Sequence, residues 1–366
     1  MRLPTIKELN CKGKRVLLRV DFNVLGKENR VIDILRIKKT LPTIKFFKNQ
    51  GAKIIILSYL SEGRGLSLKP VADFINKNCF SVDFSKFITG GKTQKKIASM
   101  SNGDILILEN LHRDRKNKKK DLKNDKKFSA ELAALGDIFV NDAFAQCHRK
   151  YSSIVGIPEF LPSYAGFLLK QEVKNLSLVF KPKHPFLLIL GGVKFESKLG
   201  ILEKFMKIAD KIFIGGALAN NFFRAKGIDI GKSVFDPKVS VKKYLNNPKI
   251  ILPADFKKEN GRILDIGPKA IKELSCLIEN SKFILWNGPM GNFEEKNLSS
   301  GTFSVAKLIA KTRAVSIVGG GDTVAAITKL GLISKFSFVS TAGGAMLEFL
   351  AKGTLPGIEA LLKSKK

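Results

Sequence analysis

Short runs of consecutive apolar residues alternate along the chain with stretches whose apolar residues recur every three or four positions. The first kind reads as buried strand and the second as amphipathic helix. In the first half, Arg15 to Asp21 (RVLLRVD), Ala52 to Ser58, Asp104 to Glu109 and Asp137 to Val140 are strand candidates. Helices are predicted at about Ile34 to Lys48, Leu68 to Asn76 and Lys127 to Leu135. A helical segment over about Ala165 to Phe180 then leads to Lys181-Pro-Lys-His-Pro185, where the alternation restarts. Strands are expected near 186–190, 211–214, 249–252, 283–286, 314–318 and 336–340, with helices between them. Strands alternating with helices imply α/β architecture with parallel, doubly wound sheets. The interruption at 165–181 divides the chain into two Rossmann-like domains, 1–164 and 182–350, joined by a helix and hinge.

At 366 residues the chain can bury two cores. It has no run of 18 apolar residues, and the stretch MRLPTIKELNCKGKR lacks an apolar h-region, so neither a membrane span nor a signal peptide is expected. Cys11, Cys79, Cys147 and Cys276 are scattered without metal-ligand spacing, which suits a reduced, cytoplasmic protein. Charge changes the picture more: 64 Lys+Arg against 32 Asp+Glu give a formal +32. Such a balance suits nucleic acid, a membrane surface or anionic metabolites. The lysines run along the whole length, and the densest run, Arg113 to Lys127, reads as one exposed loop. Without an RNP motif, zinc finger or basic heptads, a phosphorylated small-molecule substrate explains the charge more simply than a specific nucleic acid.

In open α/β sheets ligands sit beyond the carboxyl ends of the strands. In the second half those positions hold Gly191-Gly192-Val193-Lys194 with Lys198, Gly215-Gly216-Ala217, Asn287-Gly288-Pro289, Gly319-Gly320-Gly321-Asp322-Thr323 and Gly343-Gly344. Glycines, lysines and helix N-termini together make phosphate sites. In the first half they hold Asp21-Phe22-Asn23, Ser58-Tyr59 and Asn141-Asp142, which suit a small polar acid. Two motifs fail. Gly90-Gly91-Lys92-Thr93 lacks the P-loop's first glycine, Lys86 standing there, and reads as a surface turn. Gly319-Gly320-Gly321 does not extend to a dinucleotide fingerprint, because Val324 occupies the last glycine's place. Trp286 reads as a core residue.

Taken in order, RVDFNV (Arg19 to Val24), Arg36, VNDAF with HR (Val140 to Arg149), LGGVKFESK, WNGPMGNFE, GGGDT and STAGGAMLEFL resemble the phosphoglycerate kinase family over essentially the whole chain. The resemblance implies an N-terminal domain for 3-phosphoglycerate or 1,3-bisphosphoglycerate, a C-terminal domain for Mg2+ with ATP or ADP, and a hinge. It also implies that residues 351–366 return to the N-terminal domain. Asp21, Phe22 and Asn23 would hold the glycerate, Arg36 its carboxyl end and the transferring phosphoryl, and Arg149 the 3-phosphate. Lys194 would neutralise the phosphoryl in transit, with Gly343 and Gly344 as N–H donors, and Lys198 the nucleotide phosphates. Gly215, Gly216 and Ala217 would flank the adenine, Glu294 the ribose, and Asn287 and Pro289 the same pocket. Gly319, Gly320, Gly321 and Thr323 would approach the phosphates, and Asp322 would carry the magnesium. A monomer without membrane attachment is expected.

The sequence departs from the family where Ser-His-Leu-Gly-Arg-Pro is usual. Here Ser58-Tyr59-Leu60-Ser61-Glu62-Gly63-Arg64 puts a tyrosine for the histidine and Glu62 for the arginine, with Arg64 a possible substitute. After Glu109-Asn110-Leu111 the family has arginine; here His112 stands, with Arg113 beside it. Ala342 replaces a glycine, and the loop between Ala254 and Leu264 is short. Both charge-losing departures fall on the glycerate side, which leaves open a nucleotide-binding relative with lost or altered glycerate specificity; a basic nucleic-acid-binding protein on this scaffold is the other alternative.

Overall fold

The computed structural model describes residues 3–61, 65–193 and 195–364, without the side chains of Lys27 and Ser197. Glu62, Gly63, Arg64 and Lys194 therefore lie outside the described residues. The chain divides into two units, one running to Val173 and resumed from Thr354, the other Lys174–Gly353.

Unit 1 holds strands β1 (Arg15–Arg19), β2 (Lys53–Leu57), β3 (Asp83–Ser85), β4 (Ile105–Leu108), β5 (Ile138–Asn141) and β6 (Ser163–Ala165). They form one six-stranded sheet in the order β3-β4-β2-β1-β5-β6, with every pair parallel. Parallel strands are covered on both faces, which is why the apolar runs are continuous. Val16, Leu18, Ile54, Ile56, Ile107 and Val140 share one core with Ile37, Ile44 and Phe47 of the helix Ile34–Asn49. The last helix, Pro356–Lys363, belongs to this unit; Gly357 N donates to the Cys147 carbonyl at 2.8 Å.

Unit 2 repeats the plan with β7 (Phe186–Leu190), β8 (Lys211–Ile214), β9 (Ile250–Ile251), β10 (Phe256–Glu259), β11 (Arg262–Ile266), β12 (Phe283–Asn287), β13 (Val315–Gly319) and β14 (Phe338–Val339). Six of them form a parallel sheet in the order β14-β13-β12-β7-β8-β9. The central strands β7 and β12 are buried at every position, and Trp286 sits in the core as expected. Among the described residues no helix is long and apolar enough to cross a membrane.

Three local readings are corrected. Residues 113–127 are not one loop: Arg115–Leu122 is a helix whose N-cap, Asp114, accepts from Asn117 N at 2.8 Å. Its only buried residue is Asp121, so it carries almost no apolar periodicity to read. The turn at Gly90-Gly91 opens a helix, Gly91–Ala98, with Gly90 at φ 96. The short stretch between Ala254 and Leu264 is the antiparallel hairpin β10–β11. Its two connecting residues, Asn260 and Gly261, both have positive φ (51 and 73), as a tight primed turn requires.

Candidate functional site

In unit 2 the loops after β7, β8 and β12 pack backbone to backbone. A Cβ on Gly288 would stand 2.1 Å from the Gly191 carbonyl oxygen, and one on Gly216 would stand 2.4 Å from Gly192 N; both glycines also have positive φ. These loops therefore need glycine to fit each other, before any ligand is considered. At Gly215 a Cβ would meet the Met290 side chain, with Sδ at 2.5 Å. Side chains complete the bracing. Asn287 Nδ2 donates to the Gly319 carbonyl at 2.9 Å, and Gly288 N donates to Thr323 Oγ1 at 2.8 Å. Asn287 and Thr323 thus shape the loops with the groups expected to face a ligand.

Beside these loops lies a cavity of about 350 Å³ whose lining includes Gly216, Ala217, Pro289, Glu294 and Asp322. The hairpin β10–β11 supplies part of its wall through Phe256, Ile263 and Asp265, a contribution the sequence reading missed. Asp265 is buried and holds the start of the helix Ser300–Lys311, accepting from Gly301 N at 2.8 Å and from Ser300 Oγ at 3.0 Å. Burial pushes its carboxyl up from the usual range. A Cβ on Gly321 or Gly343 would meet none of the described residues within 4 Å, so among these the helix starts at Gly321–Lys329 and Gly344–Lys352 face open space. Lys198 is 4% exposed, with Nζ 3.0 Å from where a Gly192 Cβ would sit. Asp322 is exposed at its helix start. Among the described residues no cluster of three acidic, His or Cys side chains could cage a metal. A lone carboxylate fits Mg2+, which keeps waters and takes phosphate oxygens for its remaining ligands. A larger cavity, about 530 Å³, lies at the amino end of β12 and β13, lined by Lys183, Lys282, Lys311 and Arg313; it holds none of the expected site residues.

In unit 1 the strand ends are braced by charge. Arg36 Nη1 donates to Asp21 Oδ2 at 3.1 Å and to the Asn23 carbonyl at 3.4 Å, while Nε lies 3.1 Å from Asp33 Oδ2. Asn23 and Ser61 exchange two hydrogen bonds, at 2.8 and 3.0 Å. Phe22 and Leu60 were expected to touch substrate, but their side chains lie in the core, so only backbone could contribute. Arg149 is exposed.

The two departures from the family pattern turn out to touch each other. The rings of Tyr59 and His112 are 4.6 Å apart, both buried. His112 Nε2 lies 2.9 Å from the fully buried Asp121 Oδ2, whose other oxygen accepts from Ser153 N at 2.9 Å. Arg113, the suggested substitute, pairs with the buried Glu109. Glu109 also accepts from Leu68 N at 2.9 Å. Neither His112 nor Arg113 is thus a free cation for a phosphate.

The structure adds Arg19, which the sequence reading left within β1 without a role. It is fully buried; Nε donates to Ser153 Oγ at 3.3 Å, Nη2 has no partner among the described residues, and the guanidinium stands 5.3 Å from the Tyr59 ring centroid. An arginine ending an otherwise apolar strand was the available signal.

Comparison with known proteins agrees with this geometry. A phosphoglycerate kinase family model matches residues 6–353. The phosphoglycerate kinase of Leptospira biflexa is 38% identical over the whole of both chains. The solved phosphoglycerate kinase structure from Coxiella burnetii superposes with a TM-score of 0.84 at 32% identity, covering all of both chains. That from Pyrococcus horikoshii gives 0.87 at 31%, covering 98% of each. The chain belongs to the phosphoglycerate kinase family.

Proposed function

We propose that this family member catalyses reversible phosphoryl transfer between 1,3-bisphosphoglycerate and ADP, giving 3-phosphoglycerate and ATP. The observation that carries the reading is Arg36, a guanidinium pinned by Asp21, Asp33 and the Asn23 carbonyl at the carboxyl end of the unit 1 sheet. A fixed, permanently charged fork suits a carboxylate and a phosphoryl in transit.

In the ATP-consuming direction a carboxylate oxygen of 3-phosphoglycerate attacks the γ-phosphorus. The bond from that phosphorus to the bridging oxygen breaks, and ADP leaves with the electron pair. Such transfer is mostly positioning and charge neutralisation. Asp21 and Asn23 would orient the acid, and Arg149, with the buried charge of Arg19, would favour its phosphate. The N–H groups at Gly319 to Gly321 and at Gly343 and Gly344 would approach the nucleotide phosphates and the transferring group, with Lys198 and Lys194 adding charge. Gly216, Ala217 and Pro289 would meet the adenine, and Glu294 the ribose hydroxyls. Asp322 would hold Mg2+, which supplies charge neutralisation on the nucleotide phosphates. A monomer working in the cytoplasm without specific nucleic acid completes the reading, and the four free cysteines support a reducing setting.

A second reading, a nucleotide-binding relative with altered acid chemistry, draws on His112 and Arg113 being occupied by Asp121 and Glu109. ADP formation from MgATP and 3-phosphoglycerate, with the acyl phosphate removed continuously, separates the two. Saturable turnover that Arg36→Ala abolishes is expected; MgADP binding without turnover would favour the second reading.

A further inference from the structure

We infer that Tyr59 and Gln146 form a positioning relay that holds Asp21, and through it Arg36, in the geometry needed for the acid substrate. The inference rests on the reaction proposed above. It assigns a purpose to the tyrosine that stands where the family has histidine, and to a glutamine outside every expected site residue.

The relay runs through directional bonds. Tyr59 has one proton and donates it to Gln146 Oε1 at 2.8 Å. That bond fixes which way the amide faces, because an amide presents its acceptor on one side and its donors on the other. Gln146 Nε2 then points at Asp21 Oδ2, a long contact of 3.5 Å. The same oxygen accepts from Arg36 Nη1 at 3.1 Å. Polar contacts around a site without its substrate are often long and tighten in the complex.

Tyr59 and Gln146 are each 7% exposed and Asp21 5%, so water offers little competition. The Tyr59 ring is also held in place. His112 lies 4.6 Å away, Tyr151 stands edge-on at 6.4 Å, and the Arg19 guanidinium lies 5.3 Å from its centroid. Burial, then the Asp21 charge, push the phenol up to about 12, so it remains a donor at every working pH. Here the tyrosine in the place of the family's histidine supplies a fixed donor. The charge at the acid's carboxyl end is Arg36, whose aim depends on Asp21.

The test is a kinetic cycle in the coupled assay with Tyr59→Phe, Gln146→Ala and the double variant. Each single change is expected to raise KM for 3-phosphoglycerate about tenfold while leaving KM for MgATP unchanged. The double variant should be no worse than the poorer single one, because either change already cuts the relay. Gln146→Glu keeps the Tyr59 bond but sets a carboxylate against Asp21. Its KM for the acid should climb as pH rises from about 5 to 8, beyond any change in the wild type. Singles whose effects multiply, or variants that lose thermal stability while KM and the pH profile stay as in the wild type, would reduce Tyr59 and Gln146 to packing. Wild-type turnover with unaffected variants overturns the relay alone. Absence of wild-type turnover overturns the proposed reaction and the relay with it.

Discussion

The two units place their candidate sites at the same position, the carboxyl ends of a six-stranded parallel sheet, yet brace them by different means. In unit 2 the loops are shaped by what is missing: Gly191, Gly216 and Gly288 let three backbones meet, and the helix starts at Gly321 and Gly343 are left open. In unit 1 the loops are held by side chains paired with buried carboxylates, Arg36 on Asp21, His112 on Asp121 and Arg113 on Glu109. A backbone-braced site tolerates drift in surrounding side chains but no added methyl group at its contacts. A side-chain-braced site can exchange one residue type for another, provided that partners change together. Tyr59 packed against His112, the rings 4.6 Å apart and tilted by 50°, is such a joint exchange.

The sharpest break in this comparison is Arg36→Ala. Turnover with 3-phosphoglycerate should fall about 1,000-fold or more, as for other guanidinium contacts to a transferring phosphoryl, while MgADP affinity stays within twofold. His112→Ala comes next. It leaves the Asp121 carboxylate buried with one backbone donor, and chemical denaturation should show about 3 kcal/mol lost. Gly288→Ala should cost a comparable amount, about 3 kcal/mol, because φ 98 and a 2.1 Å clash act together, and should abolish MgADP binding in titration. Gly343→Ala, where an added Cβ would meet no described residue within 4 Å, should change the unfolding free energy least, by about 1 kcal/mol or less.

A pH prediction probes the unit 1 network alone. Burial pushes the Asp142 carboxyl up from 3.8 to about 6, against hydrogen bonds from Thr43 and the backbone of Leu169 and Leu168 that favour its charge. The folded state therefore holds this proton more tightly than the unfolded one. The resulting stability is complete below pH 4 and is lost as pH rises through about 6, a difference of roughly 3 kcal/mol. Asp142→Asn should remove that slope and raise the thermal midpoint by several degrees at pH 8, with little change at pH 4.

The sheet strands were legible where apolar runs were continuous, as in Phe186–Leu190 and Lys53–Leu57. Short edge strands such as Asp83–Ser85 carry too few residues to register a pattern. The hairpin Phe256–Ile266 did carry a signal, the Asn260-Gly261 pair, but a run of charged residues around it read as surface loop. The helix Arg115–Leu122 was hidden because its one buried residue is an aspartate. On the unit 2 side, glycines mark the candidate site directly in the sequence. On the unit 1 side, Tyr59 and Gln146 are 87 positions apart, and Asp21 and Gln146 125 apart; residue type alone says nothing of such pairings. Individual residues announced themselves there, and their partners did not.

On the proposed reading both units carry a working site despite the exchanged residues in unit 1. Calorimetric titration with MgADP and, separately, with 3-phosphoglycerate tests it most directly, in the wild type and in Arg36→Ala. The predicted result is saturable binding of both ligands to the wild type, with only 3-phosphoglycerate weakened in the variant. Normal MgADP binding with no binding of 3-phosphoglycerate to the wild type would contradict it and would leave unit 2 as the chain's only site.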